Sequence, residues 1–305
     1  MNKQRIGVLM GGVSREREVS LESGRAVCKA LKELDYTVVA SELGDKTADR
    51  VVKLCGEVDV IFNALHGPYG EDGCVQGLCE LLKLPYTHSG VLASALAMDK
   101  VVSKQMFRQA GIPVPDGEVR PCSAIFAEEG PSIPFVVKPI SEGSSLGVRL
   151  IGSEAQKTLG DPLWSTYDEV LVEEYIPGRE LTVLVMNRES VEVLEIEPKE
   201  GFYDFHSKYT SGFADYIIPA PLSAKIREGV LYYAQLAHAT LGCRGVTRAD
   251  FRYDETKGAE GLKLLEINTQ PGLTATSLVP QIAAYAGLSF NSLVDWIVRD
   301  ARCNA

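Results

Sequence analysis

Hydrophobic and polar positions in the first part of the chain alternate between short apolar runs and a helical spacing. The helical spacing covers residues 18–34, and the apolar runs that predict strands lie at residues 5–10, 37–42 and 58–65. Alternation of this kind implies a mostly parallel sheet with crossover helices. We therefore predict an N-terminal α/β domain over residues 1–90.

A long helix and a group of closely spaced strands follow. Helical spacing covers residues 91–110, and Gly111, Pro113 and Pro115 end it, since proline lacks the amide donor and clashes with the preceding turn. The next strand-like runs predict one largely antiparallel middle sheet; they lie at residues 135–139, 147–151, 169–175, 181–186 and 191–197. We assign residues 91–178 to a central unit.

The remainder, residues 179–305, is assigned to a C-terminal unit of helices and strands. Its predicted elements are a helix at 223–241, strands at 248–253 and 262–268, and two helices that begin at Ser277 and Asn291. The polar, glycine-containing stretch at residues 203–212 predicts a long ordered loop of the kind that closes over a site.

Composition narrows the class of protein and of partner. The 305 residues suffice for two or three subdomains, and 45% hydrophobic with 24% charged residues is typical of a globular protein. A net charge of -10 argues against binding to nucleic acid or to anionic lipid. The sequence contains no apolar run of the roughly twenty residues that a membrane span needs, so we expect a cytoplasmic protein without a membrane partner.

The polar end of the apolar run 262–265 is the sharpest candidate site. Glu266 and Asn268 are two residues apart on a predicted strand, so they share one face. Asp250 on a neighbouring strand could complete an oxygen cluster of the kind that binds Mg²⁺ together with phosphates. A partly solvated strand face with ordinary charge pairing fits these residues equally well. The glycine of the following turn, Gly272, would let backbone donors approach an oxyanion.

Two further segments are typical of phosphate and nucleotide sites. Lys138 ends a strand beside the glycine- and serine-rich residues 141–147, where exposed backbone amides and an ammonium suit phosphate; a flexible hairpin is the alternative. Glu173 and Glu180 flank a turn and could accept from adenine or ribose, although solvated acidic turns are common. Lys100 lies on a predicted helix, where an exposed lysine is the usual finding.

Two glycine-containing segments follow strands of the N-terminal domain. Residues 11–18 enter a helix without the G-x-G-x-x-G pattern, which argues against an NAD site. Glu16 and Glu18 would complement the helix dipole there even without a ligand. His66 stands at a strand end among glycines, a position compatible with a binding site or with a structural role.

Taken in order, these motifs resemble those of the D-alanine–D-alanine ligase family. The resemblance covers nearly the whole chain, and it rests on residues 11–20, 65–73, 98–100, 142–147, 208–209, 248–250 and 266–280. It implies an α/β fold of the ATP-grasp type with three subdomains, an N-terminal parallel sheet, and ATP held between the central and C-terminal units. At position 174 the chain has Glu where several relatives have lysine, and Gln270 stands where serine is frequent, a difference that we expect to have little effect.

The resemblance also implies an activity. ATP is the co-substrate, and the carboxylate of one D-alanine attacks its γ-phosphate to form an acyl phosphate. The amine of a second D-alanine then displaces phosphate, which yields the dipeptide used in peptidoglycan precursors. Two Mg²⁺ ions, replaceable by Mn²⁺, and a homodimer belong to the same expectation.

The resemblance assigns roles to individual residues. Glu16 and His66 would bind the first D-alanine, and Ser144 and Tyr209 would be hydrogen-bonded to each other and to Glu16. Arg248 and the Gly272 amide would stabilise the oxyanion. Ser277 and Leu278 would bind the carboxylate of the second D-alanine. Nucleotide and metal roles fall on Lys100, Lys138 and Lys208 at the phosphates, Glu173 and Glu180 at adenine and ribose, and Asp250, Glu266 and Asn268 at the metal ions.

Three other functions remain as alternatives. A D-alanyl-D-lactate ligase, or another ATP-grasp ligase that joins a carboxylate to an amine, would share most of these motifs. Tyr209 favours an amine as the second substrate, because relatives that make the ester lack this tyrosine. A nucleotide-binding protein without turnover should have lost Arg248 or the metal-binding acids, and all of them are present.

Overall fold

The computed structural model describes residues 4–125, 132–144, 146–153, 164, 166–199 and 213–303. The chain begins with a parallel sheet of strand order β2-β1-β3, formed by β1 (Arg5–Gly11), β2 (Thr37–Leu43) and β3 (Val60–Asn63). Helix α1 (Arg17–Glu33) connects β1 to β2. The predicted parallel arrangement is confirmed. Two short helices, α2 (Thr47–Leu54) and α3 (Cys74–Leu81), were missed because eight residues carry too little periodicity to stand out.

The single helix predicted over residues 91–110 is wrong, because the structure divides it at Asp99. Helix α4 (Val91–Met98) ends there and α5 (Lys100–Gln109) begins. Asp99 has an extended backbone, and its Oδ1 accepts from Val101 N at 2.9 Å and from Val102 N at 3.0 Å. A side-chain oxygen that binds the first free amides of a helix is a favourable N-cap. The break places Lys100 in the first turn of α5.

The predicted single middle sheet is also wrong, because its strands are divided between two antiparallel sheets. The four-stranded sheet has the order β4-β7-β5-β6, with β4 at Gly117–Pro121, β5 at Phe135–Lys138, β6 at Arg149–Ile151 and β7 at Glu169–Glu174. The five-stranded sheet has the order β10-β9-β8-β11-β12, with β8 at Arg179–Met186, β9 at Glu189–Pro198, β10 at Ala214–Ile217, β11 at Val246–Tyr253 and β12 at Leu262–Asn268.

The two sheets separate at Gly178, between β7 and β8. Gly178 has φ 93°, and a Cβ there would lie 2.3 Å from the Tyr253 carbonyl oxygen. Only glycine combines this backbone conformation with so close an approach. The chain can therefore leave one sheet and enter the next within one short turn.

Both faces of the five-stranded sheet are covered. Helix α6 (Ala224–Thr240) packs on one face together with α4 and α5. Helices α7 (Leu278–Tyr285) and α8 (Phe290–Asp300) cover the other face, in a core shared with the N-terminal sheet. That shared core brings the loop after β3 close to the end of β12. The unit boundaries at residues 90 and 178 stay a prediction, and no helix in the described ranges is long and apolar enough to cross a bilayer.

Candidate active site

A cleft lies between the two antiparallel sheets, and its empty space of about 770 Å³ includes open solvent at its mouth. The charged residues of its lining are Lys100, Lys138, Glu142, Glu173, Glu174, Glu180, Asp250, Arg252 and Glu266. The cleft therefore collects two of the three predicted phosphate-binding lysines, Lys100 and Lys138, together with two of the predicted metal-binding acids.

Glu173 lies buried at the base of this cleft between two lysines. It is 3% exposed, and its Oε1 and Oε2 form ion pairs with Lys104 and Lys138 respectively. Burial alone would raise the pKa of Glu173, but the two ammonium groups hold it below its usual range. Both oxygens are therefore engaged by the protein itself, whereas Glu173 was predicted to face adenine or ribose.

Lys104 was missed from the sequence, although it lies one helical turn after Lys100 and so on the same side of α5. One carboxylate cannot compensate two buried ammonium groups, so one lysine loses its proton more readily. Burial and the charge of Lys138 lower the pKa of Lys104 to about 7. Lys138 behaves in the opposite way, because Glu173 outweighs burial and raises the pKa of Lys138.

Four polar side chains share one face of β11 and β12. Asp250 stands opposite Glu266 and Arg248 opposite Asn268 in the antiparallel register, which places all four on the same side of the sheet. Arg248 donates to both oxygens of Asp250, from Nε to Oδ1 at 2.8 Å and to Oδ2 at 3.2 Å, and from Nη2 to Oδ2 at 2.6 Å. Lys100 Nζ lies 3.6 Å from a Glu266 oxygen.

These oxygens fit an Mg²⁺ site, as carboxylate and amide oxygens are its preferred protein ligands. Asp250, Glu266 and Asn268 supply such donors on neighbouring strand positions. In the described residues, no three His, Cys, Asp or Glu side chains are grouped as metal ligands. Mg²⁺ in nucleotide sites commonly takes one or two carboxylates together with the phosphates of the substrate.

A second polar cluster surrounds Glu16. The Ser144 hydroxyl donates to Glu16 Oε2, and His66 Nδ1 lies 3.7 Å from Glu71. The Gly67 amide donates to the Glu71 carboxylate at 3.1 Å, so a hydrogen bond within the loop stabilises the segment that carries His66. Within the described residues, Glu16 Oε1 and His66 Nε2 are buried and have no hydrogen-bond partner. The cluster can therefore accept a small cationic group from a ligand.

The electrostatics of Glu16 agree with that interpretation. Burial and repulsion from Glu71 raise the pKa of Glu16 to about 7, although His66 and the Ser144 hydrogen bond oppose the shift. A carboxylate that is costly to ionise in isolation gains most from a cationic ligand, because the ligand supplies the missing counter-charge.

The turn after β12 carries Gly272, Ser277 and Leu278. A Cβ at Gly272 would lie 3.1 Å from Ser277 Oγ, so the turn is compact at this point. Ser277 Oγ accepts from the Thr274 amide at 2.9 Å. Leu278 begins α7, and the first amides of a helix are free to bind an anion such as a carboxylate.

The structure places the predicted residues in three neighbouring groups: the cleft with Lys100, Lys138, Glu173 and Glu180, the strand face with Arg248, Asp250, Glu266 and Asn268, and the Glu16 cluster with His66 and Ser144. Glu180 is 9% exposed and pairs with Arg252 at 3.3 Å. Lys208 and Tyr209 lie outside the described residues. Sequence reasoning missed Glu71, Lys104 and the buried hydrogen bonds of Gln270 to Asn63 and Leu65.

Comparisons with known proteins agree with one another. Residues 40–89 match the family model "D-ala D-ala ligase N-terminus", and residues 106–299 match "D-ala D-ala ligase C-terminus". The chain is 47% identical to the D-alanine--D-alanine ligase of Granulibacter bethesdensis over 100% of both chains, and 50% identical to that of Ruegeria pomeroyi over 98% and 97%.

Solved structures are similar along the same length. The chain matches a D-alanine--D-alanine ligase from Bacillus anthracis complexed with ATP at a TM-score of 0.80 and 30% identity, over 98% of this chain and 97% of that one. The ATP-grasp fold expected from the motifs is thereby confirmed. From its motifs, its fold and these matches, the chain belongs to the D-alanine–D-alanine ligase family.

Proposed function

We propose that the chain joins two D-alanine molecules to D-alanyl-D-alanine with cleavage of ATP, through a D-alanyl phosphate intermediate, for the synthesis of peptidoglycan precursors. One observation carries the proposal. Lys100 Nζ donates to the Glu142 carbonyl in the nucleotide cleft, while Ser144, two residues later, donates to Glu16. A single loop thus borders both the phosphate-binding lysines and the cluster that suits an amino acid's ammonium group.

In the first step, the carboxylate of D-alanine attacks the γ-phosphate of ATP, and ADP leaves. Phosphoryl transfer depends mainly on positioning and charge neutralisation. Lys100 and Lys138 would neutralise the phosphates, with Lys208 added from outside the described residues. Glu16 would hold the ammonium group, with His66 beside it, so that the carboxylate points towards the cleft.

Two Mg²⁺ ions, or Mn²⁺ in their place, would be held by Asp250, Glu266 and Asn268. When bound, they would neutralise phosphate charge and hold the phosphate chain in line. Arg248 binds both oxygens of Asp250. Asp250 would therefore contact both the metal ions and the arginine of the oxyanion site, and so link the two sites. The donor set and its register support this assignment.

In the second step, the amine of the second D-alanine attacks the acyl phosphate. A C–N bond forms, the bond from carbon to the phosphate oxygen breaks, and the amine proton goes to solvent. Arg248 and the Gly272 amide would stabilise the oxyanion of the tetrahedral intermediate. Ser277 and the Leu278 amide would receive the second carboxylate at the N-terminus of α7.

The remaining assignments rest on the family. Glu180 lines the cleft and would accept from ribose, whereas Glu173 would act on adenine only through Lys138, which it binds. Tyr209 would join Ser144 and Glu16 in the closing loop, and it favours an amine over the hydroxyl of D-lactate. A homodimer and a cytoplasmic location belong to the same proposal.

Phosphate release from MgATP tests the activity, with mass analysis of the products. D-alanine alone, D-alanine with D-lactate, and L-alanine form the three arms. D-alanyl-D-alanine in the first arm is the expected product. Ester in the second arm, without dipeptide in the first, would replace the proposal with a D-alanyl-D-lactate ligase. ATP binding without any product would contradict the proposed substrates.

The pKa of Glu16 predicts a pH dependence. Below about pH 7 the carboxyl is protonated and cannot hold an ammonium group, so kcat/KM for D-alanine should rise as pH increases through about 7. Steady-state rates between pH 5.5 and 8.5, at saturating ATP, measure this rise. Glu16→Gln should lower kcat/KM about tenfold or more and abolish that limb of the profile.

The other groups that face Glu16 are Glu71, His66 and Glu142, with the Ser144 hydroxyl. Burial opposes protonation of His66, yet Glu71 and Glu16 raise its pKa above the usual value. If the limb near pH 7 persists in Glu16→Gln, it belongs to another group, such as His66 or the buried Lys104, and the assignment to Glu16 fails.

A further inference from the structure

A buried amide network joins the loop that carries His66 to the turn after β12. Gln270 is 1% exposed; its Oε1 accepts from Asn63 Nδ2 at 2.8 Å, and its Nε2 donates to the Leu65 carbonyl. Asn63, also 1% exposed, donates in addition to the Gly70 carbonyl at 2.8 Å. Gln270 and its direct partner therefore hold the loop both before and after His66.

The two segments joined by this network carry different parts of the site. Leu65 directly precedes His66, which borders the Glu16 cluster. On the other side, the backbone N–H of Gln270 donates to Asn268 Oδ1 at 2.8 Å, and Gly272 follows two residues later. Gln270 thus lies in contact with a proposed metal ligand while its side chain reaches the loop of the first substrate.

We propose that Gln270 is a positioning residue, which sets the distance between the subsite of the first D-alanine and the metal and oxyanion groups; this inference rests on the proposed function, which defines those subsites. A carboxamide suits the task because one planar end offers both an acceptor and donors. Each of its hydrogen bonds is buried, so losing the side chain leaves Asn63 Nδ2 and the Leu65 carbonyl without that partner.

The first test is Gln270→Ser, whose hydroxyl is too close to the backbone to reach the Leu65 carbonyl. A displacement of about 1 Å near reacting groups can cost about a hundredfold in rate, so we expect kcat/KM for D-alanine to fall roughly 10- to 100-fold. The dissociation constant of ATP, measured by calorimetry without D-alanine, should stay unchanged, because other residues line the nucleotide cleft. Gln235→Ser, an exposed glutamine on α6, is the matched control.

Gln270→Glu separates hydrogen bonding from packing. It keeps the side-chain length and the acceptor for Asn63, but an ionised carboxylate cannot donate to the Leu65 carbonyl. Protonation restores a donor, so the ratio of Gln270→Glu activity to wild-type activity should increase as pH falls. A role in packing alone would leave that ratio independent of pH.

A second control variant completes the test. Ile297→Val removes a methylene from the core at α8, outside the hydrogen-bond network of Gln270, and should lower the melting temperature without changing kcat/KM. The positioning role is refuted if Gln270→Ser behaves like Ile297→Val, or if it equals the wild type. Should the wild type not act on D-alanine, the proposed function fails instead. Hydrogen exchange then tests the positioning role without a substrate. The amides of residues 65–73 should exchange faster in Gln270→Ser than in Gln235→Ser.

Discussion

Replacing Glu266 with glutamine should lower kcat about 10²- to 10³-fold, the loss that follows removal of one group that stabilises transition-state charge. Glu266 stands opposite Asp250 on one sheet face, beside Lys100, where phosphates and Mg²⁺ are proposed to meet. Glutamine keeps the shape and one oxygen but loses the charge that attracts a divalent cation. The Mg²⁺ concentration that gives half-maximal activity should also increase.

The experiment must distinguish a loss of catalysis from a loss of folded protein. The Glu266 side chain is 27% exposed, so its replacement should leave the unfolding transition almost unchanged. Glu197→Gln, an exposed acid on β9 of the same sheet, is the matched control and should retain full activity. Near-normal turnover of Glu266→Gln over a range of Mg²⁺ concentrations would contradict the metal assignment.

Replacing Glu173 with glutamine should have the largest effect on stability. The carboxylate is the shared partner of Lys104 and Lys138, and all three side chains are buried. Removing one partner of a buried ion pair costs about 3–5 kcal/mol, because the remaining charge is left uncompensated. Urea denaturation at pH 7 measures the change. Glu174→Gln, the exposed neighbour, should change the free energy of unfolding little.

The pH dependence of this variant distinguishes charge from shape. Lys104 has a pKa of about 7 already in the wild type, so its titration contributes to both proteins. In the variant, Lys138 also loses the carboxylate that raises its pKa, so burial makes it give up its proton in the folded state, whereas in the unfolded chain it keeps the proton up to the ordinary lysine pKa of 10.5. The unfolded state then binds more protons, so the free energy of unfolding increases with pH between about 7 and 10. The deficit of Glu173→Gln relative to wild type should therefore shrink at pH 9. A deficit that is equal at both pH values would refute the charge explanation.

Local signals were reliable where the chain's own geometry determines the outcome. Period-two spacing placed Glu266 and Asn268 on one face, and the antiparallel register then paired Asp250 with Glu266. The helix over residues 91–110 was misassigned, because apolar spacing continues through Asp99 although its side chain caps a new helix. An aspartate in the middle of a periodic run can be an exposed residue or a cap, and the pattern does not distinguish them.

The sequence did not indicate which charged residues are buried together. Glu173 lines the cleft and its contact with the nucleotide stays a prediction, but no local pattern indicated that Lys104 from α5 and Lys138 from β5 both reach its carboxylate. Gln270 was noted only as an unusual residue, since its partners Asn63 and Leu65 are more than two hundred positions away. Long-range contacts depend on how separate elements pack, and no local period encodes that packing.

By itself, the sequence determined the α/β class, the parallel N-terminal unit and the family, because these follow from local periodicity and from motifs in a fixed order. The tertiary structure decided which strands form each sheet, which acids are buried with lysines, and how Ser144 reaches Glu16 across 128 positions. The reason is physical: backbone geometry and the burial of one face act over a few residues, whereas a site is assembled by the packing of elements distant in the chain.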